Sequence, residues 1–201
     1  MTLALEERIV TLPEEYDSPA LRDLSTRFSA SQRGHVLDLG RPSNVNVHFF
    51  AGLHCKISVC DLFGGLTTAG FAAPRRPGPF AAACTDVLGF SDDHRFDQVM
   101  VWDLFNYMTL EEIEVFMQQV RTHCREGCRL MALLSIYQRI PDQPFRCSAI
   151  AGGRVRYESE SDVHRESPRH KEHDLVSRLA GFQIETSVLL RGGMQEYGFV
   201  V

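Results

Sequence analysis

Three aspartates, each associated with a short apolar run, are the residues best placed for chemistry. Asp38 lies in the first run just before Gly40, Asp61 directly follows the second, and Asp103 follows the run at residues 96–102. In open α/β sheets, nucleotide-type cofactors lie outside the carboxyl ends of the strands, where an acid binds the ribose. The sequence therefore predicts a cofactor crevice with Asp61 beside the ribose. Asp38 either contributes to cofactor binding or holds the amides of the loop that follows it.

The loop after the first run lacks the glycines that such sites usually have. Pro42 and Asn44 stand in their place. Proline fixes φ at about −65° and has no N–H, whereas asparagine tolerates left-handed conformations better than most residues. Ser43 is a suitable N-cap for a helix over residues 44–52, whose N-terminal amides would then face the crevice. The residues leave open whether this loop binds a cofactor weakly or not at all.

Alternating strands and helices must position these residues. Apolar runs predict strands at residues 36–39, 56–60, 80–84, 96–102 and 128–136, and a terminal hairpin at 182–190 and 195–201. Helices are predicted to begin after Ser18, after Ser43 and at Thr109, where Glu112 completes a capping box. A last helix is predicted to carry Leu175, Val176, Leu179 and Ala180 and to stop at Gly181. We predict a single α/β domain with a Rossmann-like fold, in which helices cover both faces of a seven-stranded, mostly parallel sheet that ends in an antiparallel hairpin.

The long polar segment near the C-terminal third is predicted to be exposed. Residues 154–174 are mixed in charge and nearly free of apolar side chains, so residues 138–173 are expected to form an insertion or lid, with residues 154–174 as a contact for a protein partner. The segment contains His164, His170 and His173, whose spacing matches no standard zinc motif. We therefore expect no metal site.

Two further segments are expected to lie outside the core. Residues 74–79 carry Arg75 and Arg76 between prolines, which predicts a surface loop. The alternative interpretation is that the two arginines bind an anionic ligand. Residues 1–17 are expected to be an N-terminal extension of the domain.

The composition is typical of one soluble globular domain. The 201 residues are 44% apolar and 23% charged, with a net charge of −5 and a pI near 5.9. This balance gives no general attraction to nucleic acid or to an anionic membrane, and neither is expected as a partner. The six cysteines form no CxxC pair and are expected to be reduced, and no leader or membrane-spanning run is visible. We expect a cytoplasmic protein.

This layout resembles the class I S-adenosylmethionine-dependent methyltransferases over roughly residues 18–201. Residues 36–40 are similar to the family's first-strand motif, and Asp61 to the acid that accepts hydrogen bonds from the ribose hydroxyls. Residues 85–88 resemble the loop that flanks the adenine, and residues 96–103 resemble the fourth-strand motif. The resemblance implies S-adenosylmethionine as cofactor and implies these cofactor-binding residues: Asp38, Gly40, Ser43, Asp61, Leu62, Asp86, Val87 and Asp103.

The resemblance also implies a methyl acceptor just past the fourth predicted strand. Asp103, Asn106 and Tyr107 are the catalytic candidates there. Asn106 and Tyr107 would orient the acceptor, and Tyr107 would form an aromatic wall near the sulfonium. Alternatively, Tyr107 and Trp102 only pack the start of the next helix. The Asn-Tyr pair differs from the Asn-Pro-Pro-aromatic signature of methyltransferases that act on amino groups of nucleic acids, so the expected acceptor is a small molecule.

Three functions remain open from the sequence. The favoured one is a small-molecule methyltransferase. The second is a catalytically inactive protein of the same fold that serves as a binding or scaffold subunit, which Pro42 and Asn44 support because they alter the cofactor loop. The third is a nucleotide- or NAD-binding oxidoreductase, which Asp61 permits but the missing glycines disfavour, because pyrophosphate binding needs close backbone approach.

Overall fold

The computed structural model describes residues 14–28, 32–68, 77–91, 93–190 and 192–201. Its strands are β1 (Glu14–Asp17), β2 (His35–Asp38), β3 (Lys56–Val59), β4 (Phe96–Trp102), β5 (Cys124–Ser135), β6 (Arg139–Pro141), β7 (Arg146–Ile150), β8 (Arg154–Glu158), β9 (His164–Glu166), β10 (Gln183–Leu189) and β11 (Met194–Val200). Its helices are α1 (Pro19–Arg27), α2 (Asn44–Gly52), α3 (Leu62–Thr68), α4 (Pro77–Leu88), α5 (Leu110–Thr122) and α6 (Glu172–Val176), with a 3₁₀ turn at Leu104–Tyr107. Within these ranges no helix has the length and apolarity needed to cross a membrane.

The central sheet has six strands in the order β10-β11-β5-β4-β2-β3. Strands β3, β2, β4 and β5 are parallel, and β11 runs antiparallel to both β5 and β10. The mixed α/β sheet and the terminal hairpin are therefore confirmed. From β2 the chain passes through α2 to β3 on one side, and then crosses to β4 on the other side. The carboxyl ends of β2 and β4 thus form a topological switch point, where open α/β sheets hold their ligands.

The expected seventh strand, at residues 80–84, is wrong. These residues belong to α4. Alanine has the highest helix propensity, and Phe80, Ala83, Cys84 and Leu88 are buried at helical spacing. Residues 77–79 were expected in a loop but form the first turn of α4. Proline is tolerated there because the N–H groups of the first turn have no acceptor within the helix. Arg75 and Arg76 lie outside the described residues.

The two faces of the central sheet are covered differently. On one face, Leu37, Val99 and Leu130 pack against helices α3 to α6. On the other face, Val36 and Met131 pack against α1, α2 and a second, three-stranded antiparallel sheet in the order β1-β8-β7. Residues 14–17 of the expected N-terminal extension are therefore a strand of this sheet, while residues 1–13 lie outside the described part of the chain.

Strand β8 is buried on one side, unlike the exposed segment expected at residues 154–174. Val155 and Tyr157 are 0% and 1% exposed, whereas Arg154 and Arg156 face outward and pair with Glu15 of β1. A half-buried strand needs apolar residues only at alternate positions. The charged residues of the outward face outnumber them, which is why the composition predicted an exposed segment. The rest of this segment is mostly exposed, and β9 forms a two-stranded sheet with β6.

The predicted helix caps are confirmed. Ser18 Oγ accepts a hydrogen bond from Leu21 N at 3.1 Å, and Thr109 and Glu112 form the complete capping box. The last helix ends earlier than expected: α6 spans Glu172–Val176, and Ala180 and Gly181 have φ values of 50° and 91°. Leu179 is nevertheless fully buried, because the turn after α6 packs it into the core.

Candidate functional site

The crevice at the switch point brings together three of the predicted residues, Gly40, Asp61 and Asp103. They follow β2, β3 and β4, so three neighbouring parallel strands deliver them to one edge of the sheet. The cavity between them measures only about 20 Å³. A water molecule needs about 10–15 Å³, so the crevice in this conformation holds about one water.

Asp38 is the structural centre beneath the crevice. Its Oδ1 accepts hydrogen bonds from Gly40 N at 3.0 Å and from Trp102 Nε1 at 2.6 Å, and its Oδ2 accepts one from Asn46 Nδ2 at 3.0 Å. The side chain is 0% exposed, and burial raises its pKa while these three bonds oppose that rise. Of the two roles considered for Asp38, the geometry matches the one that holds the loop.

Trp102 was missed by sequence reasoning as a residue of the site. It has a positive φ of 55°, which is rare outside glycine, and its indole lies against Gly40. A Cβ on Gly40 would lie 2.9 Å from Trp102 Cδ1, closer than real Cβ atoms approach. Residue 40 must therefore be glycine for the indole of Trp102 to pack against the loop. The only available signal was the tryptophan itself, because its partner Asp38 is 64 residues away.

The loop of residues 40–43 runs in ordinary backbone conformations. Neither Pro42 nor Asn44 has a positive φ, and Asn44 is the first residue of α2. Ser43 caps this helix, since its side chain accepts a hydrogen bond from Asn46 N at 3.4 Å. The predicted cap is confirmed, whereas a contact of Ser43 with a cofactor remains a prediction.

Asp61 lines the crevice and also caps α3. Its Oδ1 accepts a hydrogen bond from Gly64 N at 2.8 Å. A Cβ on Gly64 would lie 2.5 Å from Asp61 Oδ2, so glycine is required for this capping geometry. The side chain is half-buried, with one face on the crevice. Leu62, by contrast, is fully buried in the core and does not line the cavity.

The structure does not bring Asp86 and Val87 into the crevice. Both lie in the last turns of α4, so residues 85–88 form helix rather than the expected loop, while contact of these residues with a cofactor remains a prediction. The end of α4 does approach β3, because Cys60 Sγ donates to Val87 O at 3.4 Å. Val87 packs closely on Gly65 of α3, and Asp86 is exposed.

Asp103 is buried and bonded to another segment of the chain. Its Oδ2 accepts a hydrogen bond from Phe145 N at 3.0 Å. The residue is 1% exposed, and burial raises the pKa of its carboxyl to about 7, although the bond from Phe145 and the nearby charge of Arg41 act against this rise. A carboxyl that titrates near neutral pH can exchange protons under physiological conditions.

Asn106 and Tyr107 flank Asp103 but face different partners. Asn106 Nδ2 donates to the carbonyls of Asp103 and Leu133 at 2.9 and 3.0 Å, and its Oδ1 accepts from Ser135 N at 2.9 Å. This arrangement joins the ends of β4 and β5. Asn106 is therefore a structural link rather than an exposed acceptor ligand.

Tyr107 is held at the cover of the crevice. Its hydroxyl donates to Gln143 O at 2.8 Å, and its ring meets that of Phe63 edge to face, with centroids 5.5 Å apart. The guanidinium of Arg165 lies over the face of the Tyr107 ring, 5.9 Å from the ring centroid. Burial raises the pKa of Tyr107 far above its usual range, so its hydroxyl stays protonated.

The crevice is closed by residues 141–146, which we call the strap. Pro144 and Phe145 of the strap line the cavity directly. Arg41 donates to Gln143 Oε1 at 2.7 Å and also pairs with Glu160, which in turn accepts from Arg146 Nε at 2.7 Å. The strap is therefore tied to both the β2 loop and the segment after β4.

Strand β7, which begins at the last residue of the strap, is joined to α2 through Asn46. Asn46 Nδ2 donates to Cys147 O at 3.1 Å, and Ala149 N donates to Asn46 Oδ1 at 2.8 Å. Because Asn46 also bonds Asp38, one buried amide connects the floor of the crevice with the segment that covers it.

The three histidines of the polar segment have separate surroundings. His170 Nε2 lies 3.1 and 2.9 Å from the carbonyl oxygens of Phe105 and Met108, and the side chain of His173 is 95% exposed. His164 Nδ1 lies 2.9 Å from Asp162 O. Within the described part of the chain, no group of three or more His, Cys, Asp or Glu side chains could hold a metal ion.

Comparison with known proteins finds methyltransferases among the similar solved structures. No family model and no curated protein matches the chain. It is similar to the Burkholderia thailandensis 1,6-didemethyltoxoflavin-N1-methyltransferase with bound 1,6-didemethyltoxoflavin and S-adenosylhomocysteine, at 16% identity and a TM-score of 0.49, over 92% of this chain and 79% of that one. The glycopeptide N-methyltransferase MtfA complexed with S-adenosyl-L-methionine matches at 16% identity and a TM-score of 0.48, over 92% of this chain and 87% of that one.

A third similar structure is an S-adenosylmethionine-dependent methyltransferase from Clostridium acetobutylicum, at 11% identity and a TM-score of 0.47, over 84% of each chain.

Proposed function

We propose that this chain is an S-adenosylmethionine-dependent methyltransferase that acts on a small molecule, with the crevice at the switch point as its cofactor site. The supporting observation is that Gly40, Asp61 and Asp103 follow three neighbouring parallel strands and line one crevice. Asp61 is the ribose-binding carboxylate in this proposal. Asp103 is the group near the acceptor that can take up a proton.

The closed strap does not leave room for the cofactor. A cavity of about 20 Å³ is far below the roughly 300 Å³ of the smallest usual ligand pockets. In our proposal the strap moves away before the cofactor binds, which breaks its hydrogen bonds to Asp103, Tyr107 and Arg41.

The cost of opening lowers the apparent affinity for the cofactor. Three hydrogen bonds at about 1 kcal/mol each amount to about 3 kcal/mol. A binding-competent state that is disfavoured by this amount weakens the apparent affinity by about two orders of magnitude. We therefore expect weak cofactor binding by the wild-type chain, detectable at high ligand concentration.

Calorimetric titration with S-adenosylmethionine and S-adenosylhomocysteine tests this assignment through Asp61. Asp61→Asn is expected to weaken binding about tenfold or more, because it removes the charge that the ribose hydroxyls would meet. Asparagine is a good N-cap, so the start of α3 is retained. Asp162→Asn, the same substitution at an exposed position, serves as the control. Equal binding by wild type and Asp61→Asn would contradict the assignment.

Weakening the strap should strengthen cofactor binding. Glu160 pairs with Arg41 and Arg146 but does not line the cavity. Glu160→Gln is expected to bind S-adenosylmethionine about fivefold more tightly, because loss of roughly 1 kcal/mol of closing interactions raises the open population. The exposed Glu166→Gln is the matched control in the same calorimetric titration. Tighter binding by both variants would point to net charge rather than to the strap.

A catalytically inactive scaffold is the second candidate, and the filled crevice favours it. Trp102 and Phe145 pack into the space that a cofactor would need, and Pro42 alters the adjoining loop. This candidate expects no heat and no thermal shift at millimolar ligand in the wild type or in Glu160→Gln. Saturable binding by Glu160→Gln would count against it.

A further inference from the structure

A second cavity lies at the opposite edge of the sheet, where β2 and β4 begin. Its volume is about 350 Å³, against about 20 Å³ at the switch point. This volume is within the range of small-molecule sites, which begins at about 300 Å³. Its walls carry six basic side chains, Arg33, His35, Lys56, His94, Arg95 and Arg125. We call this cavity the basic pocket.

Positive charge is in excess in the basic pocket, although the whole chain has a net charge of −5. Four lysine and arginine side chains stand against the two acids Asp93 and Asp97. Asp97 is already engaged, since it accepts a hydrogen bond from His35 N at 2.8 Å and pairs with Arg125 at 3.5 Å. The side chain of Asp93 is 88% exposed and lies 3.7 Å from His94. Within the described ranges, neither Arg33 nor Lys56 has a carboxylate at ion-pair distance.

The ring of His35 is held close to these charges, so its pKa responds to them. Its ring packs on Phe96 with centroids 4.6 Å apart, and Nε2 lies 2.9 Å from Ser58 Oγ. Burial lowers the pKa of His35, and the positive charge of Lys56 lowers it further. An anion placed beside Lys56 would offset that charge and raise the pKa of His35.

We propose that the basic pocket binds a small molecule through a phosphate or diphosphate group. Guanidinium groups form bidentate, charge-assisted hydrogen bonds to phosphate oxygens, and Lys56 adds a mobile point charge. Arg33 and Lys56 supply charge that no carboxylate of the described chain neutralises, and a volume of about 350 Å³ is enough for a compact anion. The pocket is on the far side of the sheet from the crevice, so this proposal does not rest on the proposed methyltransferase activity.

Pyrophosphate is the probe for the test, added to the full chain at low ionic strength. Histidine resonances followed by NMR as a function of pH should show that the pKa of His35 rises with saturating pyrophosphate. Calorimetry should give a single site whose affinity falls about fivefold in Lys56→Gln, because one charge-assisted contact is lost. Lys171→Gln is the matched control, since Lys171 is the other lysine of the chain and is exposed.

The variants are expected to fold, since Lys56 and Lys171 are both exposed, and thermal unfolding checks this. The proposal is overturned if pyrophosphate binding does not saturate. It is also overturned if Lys56→Gln and Lys171→Gln bind equally, which would indicate adventitious attraction to net charge, or if the pKa of His35 stays unchanged at saturation.

Discussion

Replacing Asp38 by alanine is expected to lower the free energy of unfolding by about 3–5 kcal/mol. The substitution leaves Trp102 Nε1 without its acceptor in a buried position, and it removes the bonds from Gly40 N and Asn46 Nδ2 as well. Each buried donor left unsatisfied costs about 1–3 kcal/mol. Burial disfavours the charged form of Asp38 and raises its pKa, so removing the carboxylate returns part of that cost. Urea unfolding monitored by Trp102 fluorescence measures the effect.

Asp38→Asn is the graded comparison. Its Oδ1 can still accept from Trp102 and Gly40, but its amide would face the amide of Asn46. The loss should therefore be smaller than for alanine. Asp97→Ala controls for removal of a partly exposed acid that accepts one backbone bond. If Asp38→Ala costs no more than Asp97→Ala, Asp38 does not hold the loop.

The stability of the protein is expected to fall as the pH rises from about 4 to about 7, through ionisation of Asp103. Burial raises the pKa of this carboxyl in the folded state from 3.8 to about 7. The folded state thus binds the proton more tightly than the unfolded state, and the contribution is fully present only below the unfolded pKa. At about 1.4 kcal/mol per pKa unit, the loss is on the order of 4 kcal/mol. Urea unfolding at a series of pH values measures it.

Asp103→Asn isolates this contribution from those of Asp38 and Glu196, whose pKa values burial also raises. Asparagine keeps an acceptor for Phe145 N but carries no charge at any pH. The difference in unfolding free energy between variant and wild type should therefore change in favour of the variant between pH 4 and pH 8, by most of the expected loss. Parallel stability curves for the two proteins would show that Asp103 does not titrate in this range.

The same carboxyl connects stability with access to the crevice. Asp103 lies under the strap, and its bond from Phe145 N is one of the contacts that must break on opening. Water that enters the open crevice would solvate the carboxylate, so ionisation should favour the open state. Cofactor titration above and below pH 7 therefore gives a second measure of strap opening.

Much of the central sheet could be predicted because it depends on local patterns. Strands β2 and β4 are short apolar runs, and both caps at Ser18 and Thr109 use a hydroxyl and an amide only three residues apart. The switch point follows from strand order, so the placement of Gly40, Asp61 and Asp103 at one edge was within reach of the sequence. The strand predicted at residues 80–84 was wrong because an alanine-rich apolar run is equally compatible with a buried strand and a buried helix.

The sequence by itself determined the strand runs, the helix caps, the terminal hairpin and the acids at the strand ends, because each depends on residues close together in the chain. Only the tertiary structure decided that the crevice is filled and covered. Trp102 reaches Asp38 across 64 residues, Phe145 reaches Asp103 across 42, and Asn46 reaches Ala149 across 103. Such contacts form only when separate segments pack on the same sheet, and no local periodicity encodes which segments meet. The sequence therefore indicates where the crevice lies, while packing determines that the strap closes it.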